Sequence, residues 1–175
     1  MRGLSAGVVA LIAVCAALVG VVVGTQVAQR TELPKAFAVT SLADEGFAVC
    51  TTPVDANAEG LFLLDFETGD LSGGVLSPLS STFAAFYKYN VLNDLGFKPG
   101  QAKNPRFLLV AGEADLRRTR VPLAPSVLYV TDSSTGVTAA YGIPWNPQQA
   151  ANGPMVGELV LLDVAKPRGG GAPAP

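Results

Sequence analysis

Three carboxylates, Asp65, Glu67 and Asp70, fall within six residues of one another in the segment LLDFETGDL. Hard oxygens at that density on one loop can hold a cation such as calcium. The same letters also write an ordinary hairpin turn, in which an Asp side chain bonds the backbone ahead of it and a Gly takes up a positive φ. A partial copy of the segment decides between the two. LFLLDFETGDLSGGVL from Leu61 aligns with LYVTDSSTGVTAAYGI from Leu128, matching Asp65 to Asp132, Thr68 to Thr135 and Gly69 to Gly136. Ser134 and Val137 stand where Glu67 and Asp70 do, so the repeated geometry does not depend on the acids. Turn formation is the expected role of these residues, and neither a metal nor another cofactor is expected.

Glu113 and Asp115, in AGEADLRRTR, are the next acid pair, and Arg117, Arg118 and Arg120 follow them closely. Together they make a candidate ligand or partner loop, although acids and arginines so intermixed equally describe surface ion pairs. Nothing in their spacing buries a carboxyl in a cleft, as general acid and base work requires. The chain has no histidine, which removes imidazole bases, His-based triads and nearly every familiar zinc or iron site. Ser80-Ser81 and Ser133-Ser134 lie in no Gly-x-Ser-x-Gly frame, so only a Ser–Lys arrangement would remain for hydroxyl chemistry. Gly169 to Gly171 belong to a tail and Gly73-Gly74 to a strand pattern with an expected bulge, so no phosphate-binding loop is present. Twelve Lys and Arg against fourteen Asp and Glu give no basic field, which argues against nucleic acid as a partner.

These residues need elements to position them. Short β-rich runs punctuated by Gly, Pro, Asp and Asn recur at Phe47 to Thr51, Leu61 to Phe66, Leu71 to Ser77, Phe83 to Tyr87, Arg106 to Ala111, Val127 to Thr131, Thr138 to Ile143 and Glu158 to Asp163. That pattern predicts a mainly β domain over residues 36–165, a single antiparallel sheet of about eight strands. The repeated hairpins are like those of propeller blades, but eight strands are too few for a propeller. One short helix is expected from Asn90 as cap to Leu95, stopped by Gly96. Phe83, Phe86, Tyr87, Tyr89 and Trp145 are expected in the core, although Phe83 and Phe86 cannot share a face of a flat strand without a bulge or helix. Cys50, in an apolar stretch, is expected to be buried.

From Leu4 to Val23 no residue is charged and none is more polar than Ser5 and Cys15. At about 1.5 Å per residue such a run spans a bilayer core of about 30 Å, so residues 4–23 are expected to be a transmembrane helix. The core is too long for a cleaved signal peptide, the alternative being secretion after cleavage near Gly24. The expected topology is single-pass, with the N-terminus cytoplasmic and the domain outside. Gly20 and Gly24, continued backwards by Ala16 or Ala17 and Ala13, make a small-residue face through which two such helices can approach and form a homodimer. Residues 25–35 then read as a juxtamembrane stalk, and 166–175, KPRGGGAPAP, as a flexible Gly/Pro tail.

Leu64-Asp65-Phe66 with Thr68-Gly69-Asp70-Leu71, Asn90-Val91 with Asp94-Leu95-Gly96, and Ile143-Pro144-Trp145-Asn146 resemble the motifs of a group of short bacterial proteins that also share an N-terminal hydrophobic segment. The resemblance covers about residues 45–146. It implies a bacterial origin and an envelope location, and it transfers no activity and no catalytic residue.

Two functions follow as expectations. One is a membrane-tethered, non-enzymatic module that binds or arranges envelope proteins. The alternative is a small-ligand-binding protein or an enzyme that uses carboxylate, Ser or Lys chemistry. The first calls for an exposed strand edge or a flat apolar patch, the second for a pocket with converging polar groups.

Overall fold

Alternation of apolar and polar residues with period two makes each strand bury one face, and Glu59–Asp65 shows it plainly, with Gly60, Phe62 and Leu64 buried between exposed neighbours. The computed structural model describes residues 41–98, 105–116 and 121–168, together with Gly7. Of the expected transmembrane helix only Gly7 is described, and it is helical; the small-residue face at Ala13, Ala16, Ala17, Gly20 and Gly24, and the stalk, lie outside the described residues. Among the described residues no helix is long and apolar enough to cross a membrane. All elements below belong to the second of the two units into which the chain divides, Phe37–Pro175.

The strands are β1 (Ser41–Ala43), β2 (Phe47–Pro53), β3 (Glu59–Asp65), β4 (Asp70–Leu76), β5 (Phe83–Asn90), β6 (Phe107–Glu113), β7 (Leu123–Asp132), β8 (Thr138–Pro144), β9 (Met155–Gly157) and β10 (Val160–Ala165). A helix, α1, spans Pro147–Asn152. Every strand expected from the sequence is present, and β1 and β9 are short additions of three residues each. The domain is mainly β and largely antiparallel, as expected, but the single sheet is corrected to two. One has the order β1-β2-β3-β4-β5-β9 and the other β10-β8-β7-β6. Among the described strands only the β5–β9 pairing is parallel. The physical reason is coverage: a single sheet would need something to shield its apolar face, and α1 buries no residue at all. Two meanders of similar pattern instead shield one another.

Their inward faces meet in one core. Phe62, Leu64, Leu71 and Val75 from the larger sheet and Phe107, Leu109, Leu128, Val130, Tyr141 and Ile143 from the smaller are fully or almost fully buried in it. Phe66 meets Phe107 edge-on at 5.7 Å between ring centroids, and Tyr89 of β5 meets Tyr141 of β8 at 5.2 Å. Such pairs add about 0.5–1.5 kcal/mol beyond area burial. Tyr141 also donates its hydroxyl to Asp94 at 2.9 Å, and burial, with that carboxylate beside it, pushes the phenol well above its ordinary pKa. Gly73 exists for the core: a Cβ there would lie 2.3 Å from Cδ1 of the Phe62 ring and 2.7 Å from the Leu61 carbonyl oxygen. Cys50 is buried as expected, and burial raises its thiol pKa to about 12.

The helix expected over Asn90 to Leu95 is also corrected. Asn90 ends β5, and the following residues form consecutive turns with one i to i+4 bond, Leu95 N to Val91 O, before Gly96 at φ 82°. The Asn90 side chain does accept from Leu92 N, at 3.2 Å, but its amide is also tied to Thr68 O and Asp70. Five residues pinned at both ends cannot repay helix nucleation.

Candidate functional site

The two copies of the repeated segment occupy equivalent places, one hairpin in each sheet: β3–β4 and β7–β8. Asp65 Oδ1 accepts from the amides of Glu67 and Thr68 at 2.8 and 2.9 Å, while Gly69 N reaches the Asp65 carbonyl at 2.9 Å. Asp132 Oδ1 accepts from the Ser134 amide at 2.9 Å, and Gly136 N reaches the Asp132 carbonyl at 2.8 Å. Gly69 and Gly136 have φ of 70° and 75°, a region that favours glycine. The Thr68 amide, followed by that of Glu67, holds the Asp65 carboxyl below its ordinary pKa. Asp70 turns elsewhere, to an ion pair with Lys88 at 2.9 Å and a bond from Asn90, which lower its pKa in turn. Asp65, Glu67 and Asp70 therefore build a hairpin, and no group of three metal-ligating side chains occurs among the described residues.

Glu113 ends β6 in an exposed position and Asp115 follows it, also exposed. Arg117, Arg118 and Arg120 lie outside the described residues. Neither Glu113 nor Asp115 lines the cleft beside Trp145 or the one beside Arg168.

Two other features stand out. The first is the outward face of the larger sheet. Outward positions on β2 and β3 carry Phe47, Leu61 and Leu63, β1 adds Leu42, β4 adds Leu76, β5 adds Phe83 and Phe86, and β9 adds Val156; all are exposed. Register links them across the strands: Leu42 sits opposite Val49, which faces Leu63, and Phe86 lies between Gly74 and Val156. Phe83 and Phe86 share this face because the β4–β5 register shifts between Val75 and Leu76, and their rings lie 6.2 Å apart. The bulge that the sequence could only pose as a condition is thus present, and it moves both rings out of the core. The charged residues on this face are Glu59 at one end, Asp65 and Asp70 at the other, and Lys88, which stands opposite Ser72 in the row of Leu63 and reaches to Asp70. An apolar sheet face of this kind is the usual mark of an interaction surface.

The second feature is an open cleft of about 420 Å³ bounded by the β2–β3 loop, the β4–β5 loop, Trp145 and α1. Asn146 caps α1, accepting from Gln148 N at 3.0 Å, and Pro147 opens the helix. Trp145 is buried, and its Nε1–H donates to Asp55 Oδ2 at 2.7 Å. The Pro-Trp-Asn stretch therefore has a structural account: Pro144 O accepts from the Tyr87 hydroxyl, Trp145 floors the cleft, and Asn146 starts the wall. Sequence reasoning marked Trp145 but missed Asp55, which is distant in sequence. It also missed α1, whose signal was legible as Asn146 and Pro147 at the start and Gly153 at the end.

No protein-family model, curated protein or solved structure matches this chain.

Proposed function

We propose that the protein is a membrane-tethered, extracytoplasmic module that binds another envelope protein through the outward face of its larger sheet. The observation that carries this reading is the row of apolar side chains on that face, with Leu61, Leu63, Leu76, Phe83 and Phe86 exposed together. Leaving one large apolar side chain in water rather than burying it forgoes about 1.5–3 kcal/mol, so a face that repeats the cost is best explained by a partner that covers it. The tether is residues 4–23, and the resemblance to a group of short bacterial proteins with an N-terminal hydrophobic segment agrees with that place. A homodimer through Ala13, Ala16, Ala17, Gly20 and Gly24 is compatible with it, since it would leave the sheet face free for the partner.

The experiment is native mass spectrometry of the full-length protein taken from its own membranes in mild detergent, beside the double variant Leu63→Glu, Phe86→Glu. Expected is a protein complex of fixed stoichiometry that the double variant loses while keeping the wild-type circular dichroism spectrum. A monomer in both samples would overturn the reading. Small-ligand binding is the second reading, favoured by the Trp145 cleft.

A further inference from the structure

We propose that the cleft between the β2–β3 loop, the β4–β5 loop and α1 binds a small organic ammonium ion with an apolar body, held by the Asp55 carboxylate over the Trp145 indole. The site is separate from the apolar sheet face and does not depend on it.

Charge comes first. Among the described residues Asp55 is the only charged one lining the cleft, and none of them that lines it is Lys or Arg. Its Oδ2 accepts from Trp145 Nε1 and its Oδ1 from the Asn57 amide, each at 2.7 Å. A carboxylate oxygen has two acceptor positions, so each oxygen keeps one for a ligand. Lys88 pairs with Asp70, and no Lys or Arg among the described residues pairs with Asp55. A bound N–H cation supplies that missing charge through hydrogen bonds about twice as strong as neutral ones. A metal ion fits poorly, because one carboxylate is too few ligands for a hard cation and no three-ligand group is present among the described residues.

The walls call for an apolar body. Ala58, Leu79, Ala150 and Ala151 line the cleft beside Trp145, and its volume of about 420 Å³ falls in the usual range for small-ligand sites. The walls are also braced before anything binds. Val54 N bonds Ala58 O at 2.9 Å across one loop. In the other, Ser77 N bonds Thr82 O at 2.8 Å and Ser77 Oγ accepts from the amides of Leu79 and Ser80. That second loop holds Ser81 at φ 56°, the one positive φ outside glycine among the described residues. A residue held in that region costs energy that the surrounding bonds must sustain, and such residues gather at ligand sites. Bracing of this kind lowers the ordering cost of binding.

Trp145 is the only tryptophan in the chain, so its indole N–H gives a single resonance at the proposed site. The test follows that resonance in the full-length, ¹⁵N-labelled protein in detergent micelles during titration with benzylammonium, with benzyl alcohol as the neutral counterpart. Expected is a saturable shift with benzylammonium and at least tenfold weaker binding of benzyl alcohol. Asp55→Asn should weaken benzylammonium at least tenfold. Ala151→Leu, on the exposed side of α1, should block the cleft while leaving the fold intact, and it decides the matter if Asp55→Asn does not fold. No shift with benzylammonium, equal binding of the alcohol, or undiminished binding by Ala151→Leu would each overturn the proposal; an equal response to the alcohol would mark a cleft that selects for apolarity alone.

Discussion

Asp132 and Asp65 do the same work in the two hairpins, yet they should differ sharply in what they contribute. Asp132 is 1% exposed. Besides the Ser134 amide it accepts from the Ser134 hydroxyl at 2.7 Å and, through Oδ2, from the Thr135 hydroxyl at 2.6 Å. Replacing Asp132 with Ala removes these acceptors and leaves their donors to water that reaches them only in part. Bonds to a charged group are worth about 1.5–3 kcal/mol each, so with part of that recovered from solvent the loss should be about 2–4 kcal/mol. With a urea slope of about 1–3 kcal/mol/M, that moves the unfolding midpoint down by on the order of 1 M. Asp65 sits in a more open loop, and Asp65→Ala should shift the midpoint much less. Equal shifts, or none for Asp132→Ala, would refute the argument that burial decides what each turn aspartate is worth. There is also a pH signature. Burial pushes the Asp132 carboxyl up, but the Thr135 and Ser134 side-chain bonds and the loop amides outweigh it, and the net pKa is lowered. A lowered folded value means stability that is present above the unfolded pKa of about 3.9 and lost as pH falls below it. The stability gap between wild type and Asp132→Asn should therefore be constant above about pH 5 and close on further acidification.

Other consequences follow. Gly73→Ala should destabilise by about 1–3 kcal/mol, since its methyl would press on the Phe62 ring, and the loss should be partly restored by Phe62→Leu in a double-mutant cycle. Thr52 is fully buried and its hydroxyl has no hydrogen-bond partner, so Thr52→Val should leave stability unchanged or raise it by about 1 kcal/mol in urea titration. Cys50, with its thiol pKa near 12, should resist maleimide at pH 8 in a Cys15→Ala background and react on unfolding; rapid native labelling would contradict its burial.

Local chemistry was legible wherever a residue's role is set by its near neighbours. The Asp–Thr–Gly turns could be read because Asp65 and Asp132 bond amides two and three residues ahead, and because only positive φ closes such a loop. The strands could be read because each buries alternate residues. Asn146, Pro147 and Gly153 are equally local signals and bound a real helix, whereas the similar cap at Asn90 leads only to turns. What could not be read depended on residues far apart in the chain. The cleft joins Asp55 to Trp145, and no periodicity signals a partner at that separation.

The amino-acid sequence alone determined eight of the ten strands, the two matched hairpins, the exclusion of histidine chemistry and the apolar run at residues 4–23, because these rest on composition and on interactions a few residues long. Only the tertiary structure decided that the strands divide into two sheets around one core, that a bulge opposite Val75 and Leu76 turns Phe83 and Phe86 outward, and that Asp55 meets Trp145. Each of those is a choice of which face a strand buries and against what. Alternation says that a strand has an apolar face; packing alone says what covers it.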